Sequence, residues 1–287
     1  MGNFRGKIME IGIKVAPHHV EWETLLAVSE IADQADIFSQ FWNFDHFYPI
    51  KGDTDGPCLE AWVTLTGIAQ ATNRIRIGCM VNGVHYRHPA VLANMASALD
   101  IVSQGRFELG LGAGWNELES GAYGIELGSL KERFDRFDEA LIVINSLLTE
   151  ESTSFSGAYY SLQEARNEPK GPQQPLPICI GGTGEKRTLR SVARHASHWN
   201  LPMFEDQLFK QKYEVLKTHC DNVGTNIEDI KVSTHVFVEE ETTPNTVISE
   251  VIHQNRAGID QSILYFQPPI DMSQVEQITS ALLTEFH

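Results

Sequence analysis

The chain has 287 residues, 42% apolar and 21% charged, with 22 glycines and 12 prolines, a balance that excludes fibrous and disordered classes. At this length about three-quarters of the unfolded surface is buried, so a core needs no covalent staples. Lysine and arginine total 22 against 38 acidic residues, a formal charge of −16 spread along the whole chain. That charge speaks for solubility and against a nucleic-acid partner, whose binding rests on basic residues meeting phosphate.

No apolar run approaches the roughly 20 residues of a membrane helix, so no membrane partner is expected. The cysteines Cys58, Cys79, Cys179 and Cys220 form no C-x-x-C pair, and nothing at the N-terminus resembles a signal peptide. Reduced thiols and a cytoplasmic location follow as expectations.

Short apolar runs alternate with helical patterns from end to end. Met9 to Val15 precedes a stripe over Trp22, Leu25, Leu26, Ser29 and Ala32, and Ile37 to Phe44 precedes a helix over Leu59 to Ala71. Arg74 to Val81 alternates, ahead of a helix over Pro89 to Val102. Phe107 to Leu111 leads to a helix opening at Ser129 and Glu132, a capping-box spacing, with Phe134, Phe137, Leu141, Ile144 and Leu148 on one face. Ile178 to Ile180 precedes a helix from about Glu185, and a short strand near Trp199 precedes a helix over Gln207 to Val223 closed by Gly224. Ile230 to Val238 leads to a helix from Pro244 to just before Gly258, and Ile263 to Phe266 leads to a last helix from Asp271.

Eight strand–helix units without a composition break predict a (β/α)8 TIM barrel formed by 1–287 as a single domain, rather than an open doubly wound sheet. The stretch Thr149 to Pro177 breaks the rhythm. Its hairpin signal at Ser156-Gly157 and its four prolines mark a short insertion after the fourth helix. Chemistry in such a barrel belongs on the loops that follow the strands.

Asp45-His46 stands at the end of the second strand inside an aromatic run from Phe41 to Phe47. An imidazole there suits a general acid or base, with Asp45 orienting it; the alternative is a pair that only fixes a loop. Gly110-Leu111-Gly112-Ala113-Gly114 and Gly181-Gly182-Thr183-Gly184 end the fourth and fifth strands. Neither fits G-x-G-x-x-G or a P-loop. Such glycines either admit a flat ring or a phosphate to the main chain or merely turn strand into helix. Gly181 to Gly184, with Lys186 and Arg187 following, suits a single phosphate. The histidines His18, His19, His85, His88, His195 and His198 form no ligand spacing with a carboxylate, and no metal is expected.

The ordered set Asp45-His46-Phe47, Tyr86-Arg87-His88-Pro89-Ala90-Val91-Leu92-Ala93, Ser103-Gln104-Gly105-Arg106-Phe107-Glu108 through Gly114-Trp115-Asn116-Glu117, Glu132-Arg133-Phe134, Gly157-x-Tyr159-Tyr160 and Ile180 through Leu189 resembles the luciferase-like monooxygenase superfamily. Within it the chain looks most like the coenzyme F420 (deazaflavin)-dependent oxidoreductases, over nearly its whole length. The resemblance implies a flavin-type ring in the barrel mouth against a bulge after the third strand, here Met80, Val81 and Asn82. It places the cofactor phosphate on Gly181 to Gly184, with Gly112, Ala113 and Gly114 also against the cofactor and the reactive face near His46. Two turns depart from the family pattern, Asp36-Ile37-Phe38 and Ala196-Ser197-His198-Trp199. His198 is expected at the surface, with entry into the pocket as the alternative.

The implied activity is hydride exchange between F420 and a small organic substrate, with His46 moving the proton. The rival readings are an FMN-dependent monooxygenase using reduced flavin and oxygen, and a flavin-binding barrel without catalysis. Family resemblance also implies a homodimer, with the outer faces of the second and third helices as candidate contacts.

Overall fold

The computed structural model describes residues 9–286, so the N-terminal residues searched for a leader lie outside the described residues. Strand β1 (Glu10–Val15) and helix α1 (Trp22–Gln34) begin an alternation that runs through β2 (Phe38–Asn43), α2 (Ala61–Ala71), β3 (Arg76–Gly83), α3 (Pro89–Val102) and β4 (Phe107–Gly112). Next come α4 (Glu117–Ala122), α5 (Leu130–Thr149) and a hairpin of β5 (Thr153–Ser156) and β6 (Ser161–Ala165). The alternation resumes with β7 (Ile178–Gly181), α6 (Thr188–His195), β8 (His198–Leu201), α7 (Asp206–Val223), β9 (Lys231–Val238), α8 (Pro244–Ala257), β10 (Gln261–Phe266) and α9 (Met272–Phe286). Eight strands close in the order β1-β10-β9-β8-β7-β4-β3-β2, and among the described residues the β5–β6 hairpin stands outside the ring. This is a TIM barrel with an insertion between α5 and β7. No helix among the described residues is long and apolar enough to cross a membrane.

Local signals read from the sequence set the helix ends. The Ser129 hydroxyl accepts from the Glu132 N–H at 3.3 Å while the Glu132 carboxylate accepts from the Ser129 N–H at 2.8 Å, a reciprocal cap on α5. Pro89 opens α3, and Gly224 and Gly258 close α7 and α8 in the left-handed region. The stripe Phe137, Leu141, Ile144 and Leu148 on α5 is buried against the barrel.

Two expectations are corrected. Helix α6 starts at Thr188 rather than Glu185, because Glu185 to Arg187 form a turn in which Arg187 is non-helical at φ −121°. The side chains of that turn pair with other helices, Glu185 with Lys212 and Gln211, Arg187 with Asp135 and Asp138. His198 is neither at the surface nor on the cavity wall. It is 1% exposed and lies inside the ring toward the N-terminal strand ends. There its Nδ1 meets Glu108 at 2.5 Å and its Nε2 meets the Ser233 hydroxyl at 2.7 Å. Gln40 donates to the same carboxylate at 3.0 Å, with Lys231 3.9 Å away. Burial opposes the Glu108 charge, but Lys231, His198 and Gln40 outweigh it and hold the carboxyl far below the ordinary range. The bottom of the barrel is thus a plugged, hydrogen-bonded layer, which leaves the opposite mouth as the open end.

Candidate active site

The mouth holds a cavity of about 550 Å³, reached by side chains from β1, β2, β3, β4, β7, β8, β9 and β10 or the loops that follow them. Its shape is set by β3. The register with β4 slips between Cys79 and Asn82, and the Met80–Val81 peptide inside that bulge is cis. Val81 swings onto β4 and β7, where glycines make room for it. A Cβ on Gly112 would sit 2.7 Å from Val81 Cγ2, and one on Gly181 would sit 3.1 Å from Val81 Cγ1. Gly114 likewise clears the His85 ring, which a Cβ would meet at 2.4 Å. These glycines therefore seat protein side chains, a packing role that neither sequence reading contained.

Of the residues singled out from the sequence, Asp45, His46, Met80, Val81, Gly112, Ala113, Gly114, Gly181 and Gly182 line this cavity. Asn82 does not. It is fully buried behind the wall, accepting from the Trp62 indole N–H and donating to the Gly110 carbonyl, both at 2.7 Å. Thr183, Gly184 and Lys186 also stand off the wall, and Lys186 is exposed. The Gly182 N–H is already donated to the Asn200 carbonyl at 3.1 Å. Arg133 of α5 is a basic side chain that does line the cavity, as do Gly181, Gly182 and Thr188. Its buried Nε has no partner, and its Nη2 lies 3.6 Å from Glu117. A guanidinium that lines the cavity and has only a 3.6 Å contact to an exposed carboxylate fits the phosphate of a bound cofactor.

The carboxylate that meets His46 is Glu119, not Asp45. Asn116 caps α4 with its side-chain oxygen and so presents Glu119 inward. Glu119 accepts from His46 Nδ1 at 2.5 Å, from the Tyr86 hydroxyl, and from the Phe47 and Tyr48 N–H groups at 2.7 and 3.3 Å. Burial pushes its carboxyl up, yet these donors outweigh burial and hold it below the usual glutamate range. Burial and the Glu119 contact push the Tyr86 phenol up, so it stays a donor. With Nδ1 committed to a carboxylate, Nε2 is the His46 nitrogen that faces a ligand.

Asp45 instead receives both arms of Arg87, at 2.6 and 3.1 Å, and Arg87 also reaches Glu60 at 2.7 Å. Burial raises the Asp45 carboxyl against the pull of that guanidinium. This bidentate clasp ties the chain just after β2 to the loop after β3. Glu119, Arg133 and Lys14 were missed because their neighbours in sequence carry no chemical spacing; the resemblance to Glu132-Arg133-Phe134 was the available signal for Arg133. Glu108, Cys179 and His198 bring ligand-type atoms within 4.8 Å of one another, but their carboxylate and imidazole are already engaged in the layer below.

The profile of the luciferase-like monooxygenase family matches residues 9–275, and the chain belongs to that family. It is similar to the F420-dependent hydroxymycolic acid dehydrogenase of Mycobacterium tuberculosis, at 33% identity over 66% of this chain and 52% of that protein. It is also similar to the F420-dependent glucose-6-phosphate dehydrogenase of Amycolatopsis mediterranei, at 31% identity over 92% of this chain and 83% of that protein. The chain thus spans about half the length of the first relative and most of the second. Among solved structures, an F420-dependent secondary alcohol dehydrogenase in complex with an F420-acetone adduct shares the fold with a TM-score of 0.85. That match has 18% identity and covers 95% of this chain and 98% of that one.

Three histidines around the mouth are held neutral. Burial pushes His18 and His85 down to about 4 and, with Lys14 beside it, His235 down to about 3. A histidine whose folded value is depressed contributes stability that is present above its unfolded value and is lost as pH falls toward the folded one. The fold should therefore weaken between about pH 6.5 and 4, by up to about 1.4 kcal/mol per histidine per pH unit. Melting temperatures across that window check this; a flat profile would contradict it.

Proposed function

We propose that the protein is a coenzyme F420-dependent oxidoreductase that moves a hydride between the cofactor and the oxygen-bearing carbon of an apolar organic substrate. The observation that carries this reading is the Glu119–His46 pair, which presents one imidazole nitrogen to a cavity that Arg133 also lines. F420, when bound, supplies or receives the hydride, because a deazaflavin ring favours two-electron transfer over reaction with oxygen. The F420 dependence of the relatives supports the choice over FMN.

The residues of this chain do the rest. Arg133 and the Thr188 hydroxyl, which share the cavity wall with Gly181 and Gly182, would hold the phosphate. Val81 and Met80 present an apolar shelf for the ring. His46 Nε2 gives or takes the proton on the substrate oxygen, and Glu119 steadies the imidazolium that results. Replacing His46 by Ala should lower turnover between about a hundredfold and ten-thousandfold while cofactor affinity changes little. Loss of cofactor binding with unchanged turnover in the remaining holoenzyme would assign His46 to loop support instead.

The substrate class follows from the rim. Ile50, Trp115, Leu130, Met203 and Phe237 come from separate segments, line the same cavity and are 36 to 67% exposed. An apolar rim of this kind marks a ligand surface. Lys51 nearby is paired with Glu239, and among the described residues the lysines and arginines lining the cavity are Lys14 and Arg133, neither of them exposed, which gives a sugar phosphate no cation cluster at the rim. In a homologous series of alcohols or the matching carbonyl compounds, kcat/KM should rise with chain length, by up to about fourfold per methylene. Trp115, whose ring lies 5.4 Å from that of His46, is the contact to truncate: Trp115→Ala should flatten the series. Equal kcat/KM for short and long members in the unaltered protein would refute the apolar-substrate reading.

The protein would act as a homodimer. Val63 on α2 and Val91 on α3 stand on the outer faces, 72 and 53% exposed. Light scattering should give twice the chain mass, and Val63→Glu with Val91→Glu should return it to one chain mass; a monomer at all concentrations would contradict it.

A further inference from the structure

The cavity carries one charge that the protein leaves unbalanced. Asp45 is answered by Arg87, Glu119 by His46 and Tyr86, and Arg133 lies beside Glu117. Lys14, on β1, has no such answer. Its side chain rises from the floor of the cavity, and the residue is 5% exposed. Nζ donates to the Met80 carbonyl at 3.1 Å, sits 3.5 Å from His235 Nε2 and lies 4.4 Å from the centre of the Tyr265 ring. Among the described residues no carboxylate oxygen comes within 4.0 Å of it.

The titratable groups that face it from the neighbouring strands supply no negative charge near neutral pH. Burial pushes the thiols of Cys79 on β3 and Cys179 on β7 well up, pushes the Tyr265 phenol on β10 up, and keeps His235 on β9 uncharged. A buried ammonium answered only by a carbonyl and an aromatic face is costly, and the cost falls when a ligand brings the missing anion.

We propose that Lys14 is the counter-cation of an ionised ring on the bound cofactor, so that the cavity floor selects the anionic form of the deazaflavin, whose ring carries an acidic hydroxyl. This rests on the F420 reading above. It also gives the bulge a second use, because the Met80 carbonyl turned into the cavity is what holds the ammonium under the ring. Burial lowers Lys14 to about 8 in the free protein. A ring anion would restore its proton, so binding above about pH 8 should take up protons from the buffer.

The test follows the ring's own absorption, which shifts to longer wavelength on ionisation, rather than turnover. F420 is titrated with pH while bound to the unaltered protein, to Lys14→Gln and to Lys14→Met. In the unaltered protein the bound ring should ionise about one to three pH units below the free cofactor. In both variants the midpoint should return to the free value or above it. Affinity in both variants should fall at least about tenfold where the ring is ionised and stay unchanged where it is neutral. Glutamine can still donate to the Met80 carbonyl, so Lys14→Gln behaving like the unaltered protein would assign Lys14 to holding the bulge and overturn the proposal. A bound ring that ionises like the free one in the unaltered protein would also overturn it. Should the variants fail to fold, calorimetry of the unaltered protein in two buffers above about pH 8 decides, and binding without proton uptake overturns it. Absence of F420 binding to the unaltered protein would remove the F420 reading as well, whereas binding without a shift removes the role of Lys14 alone.

Discussion

The seating of Val81 on glycine is the contact from which the rest of the site follows. Its methyl groups occupy space that any side chain at 112 or 181 would fill, so β3 can slip its register against β4 without opening the wall. Within the slip the Met80 carbonyl accepts from Lys14, and beyond Gly112 the chain passes His85 at Gly114 and enters the capped helix that presents Glu119. Strands β3, β4 and β7, far apart in sequence, meet at this one contact. Close packing of this kind tolerates little change in volume.

Polarity is arranged in layers along the barrel axis. Glu108, His198, Gln40 and Ser233 saturate one another at the bottom, where they specify how the strands meet and leave no opening. Above them the wall carries the paired groups Asp45–Arg87 and Glu119–His46 together with the unpaired Lys14, and above those the rim is apolar. The surface that meets a substrate is thus carried by segments that follow the strands, and the layers beneath hold those segments. This is expected when specificity resides in loops after the strands and the fold only holds them in place.

Much of this was legible from residue order. Alternation of period two and stripes of period 3.6 gave the barrel, and Ser129 with Glu132, Pro89, Gly224 and Gly258 gave helix ends, because those signals act over a few residues. Asp45, His46 and the glycine runs could be placed at strand ends for the same reason. The partner of His46 could not, since Glu119 lies 73 positions away on a helix too short to show periodicity. Adjacency in sequence suggested Asp45, but neighbouring residues near a strand end point in different directions, and Asp45 turns to Arg87. The burial of His198 and of Asn82 was hidden likewise, because a polar residue reads as exposed until its hydrogen-bond partners from other strands are known.

One feature of the rim has an optical consequence. Of the five tryptophans, Trp42, Trp62 and Trp199 are buried and Trp22 is half-buried, while Trp115 stands 59% exposed beside His46. Its indole emits from water in the free protein and from an apolar, ring-crowded setting once the cavity fills, against a nearly constant background from the other four. The side chain that borders the chemistry is therefore also a native fluorophore, able to report occupancy of the mouth without a label.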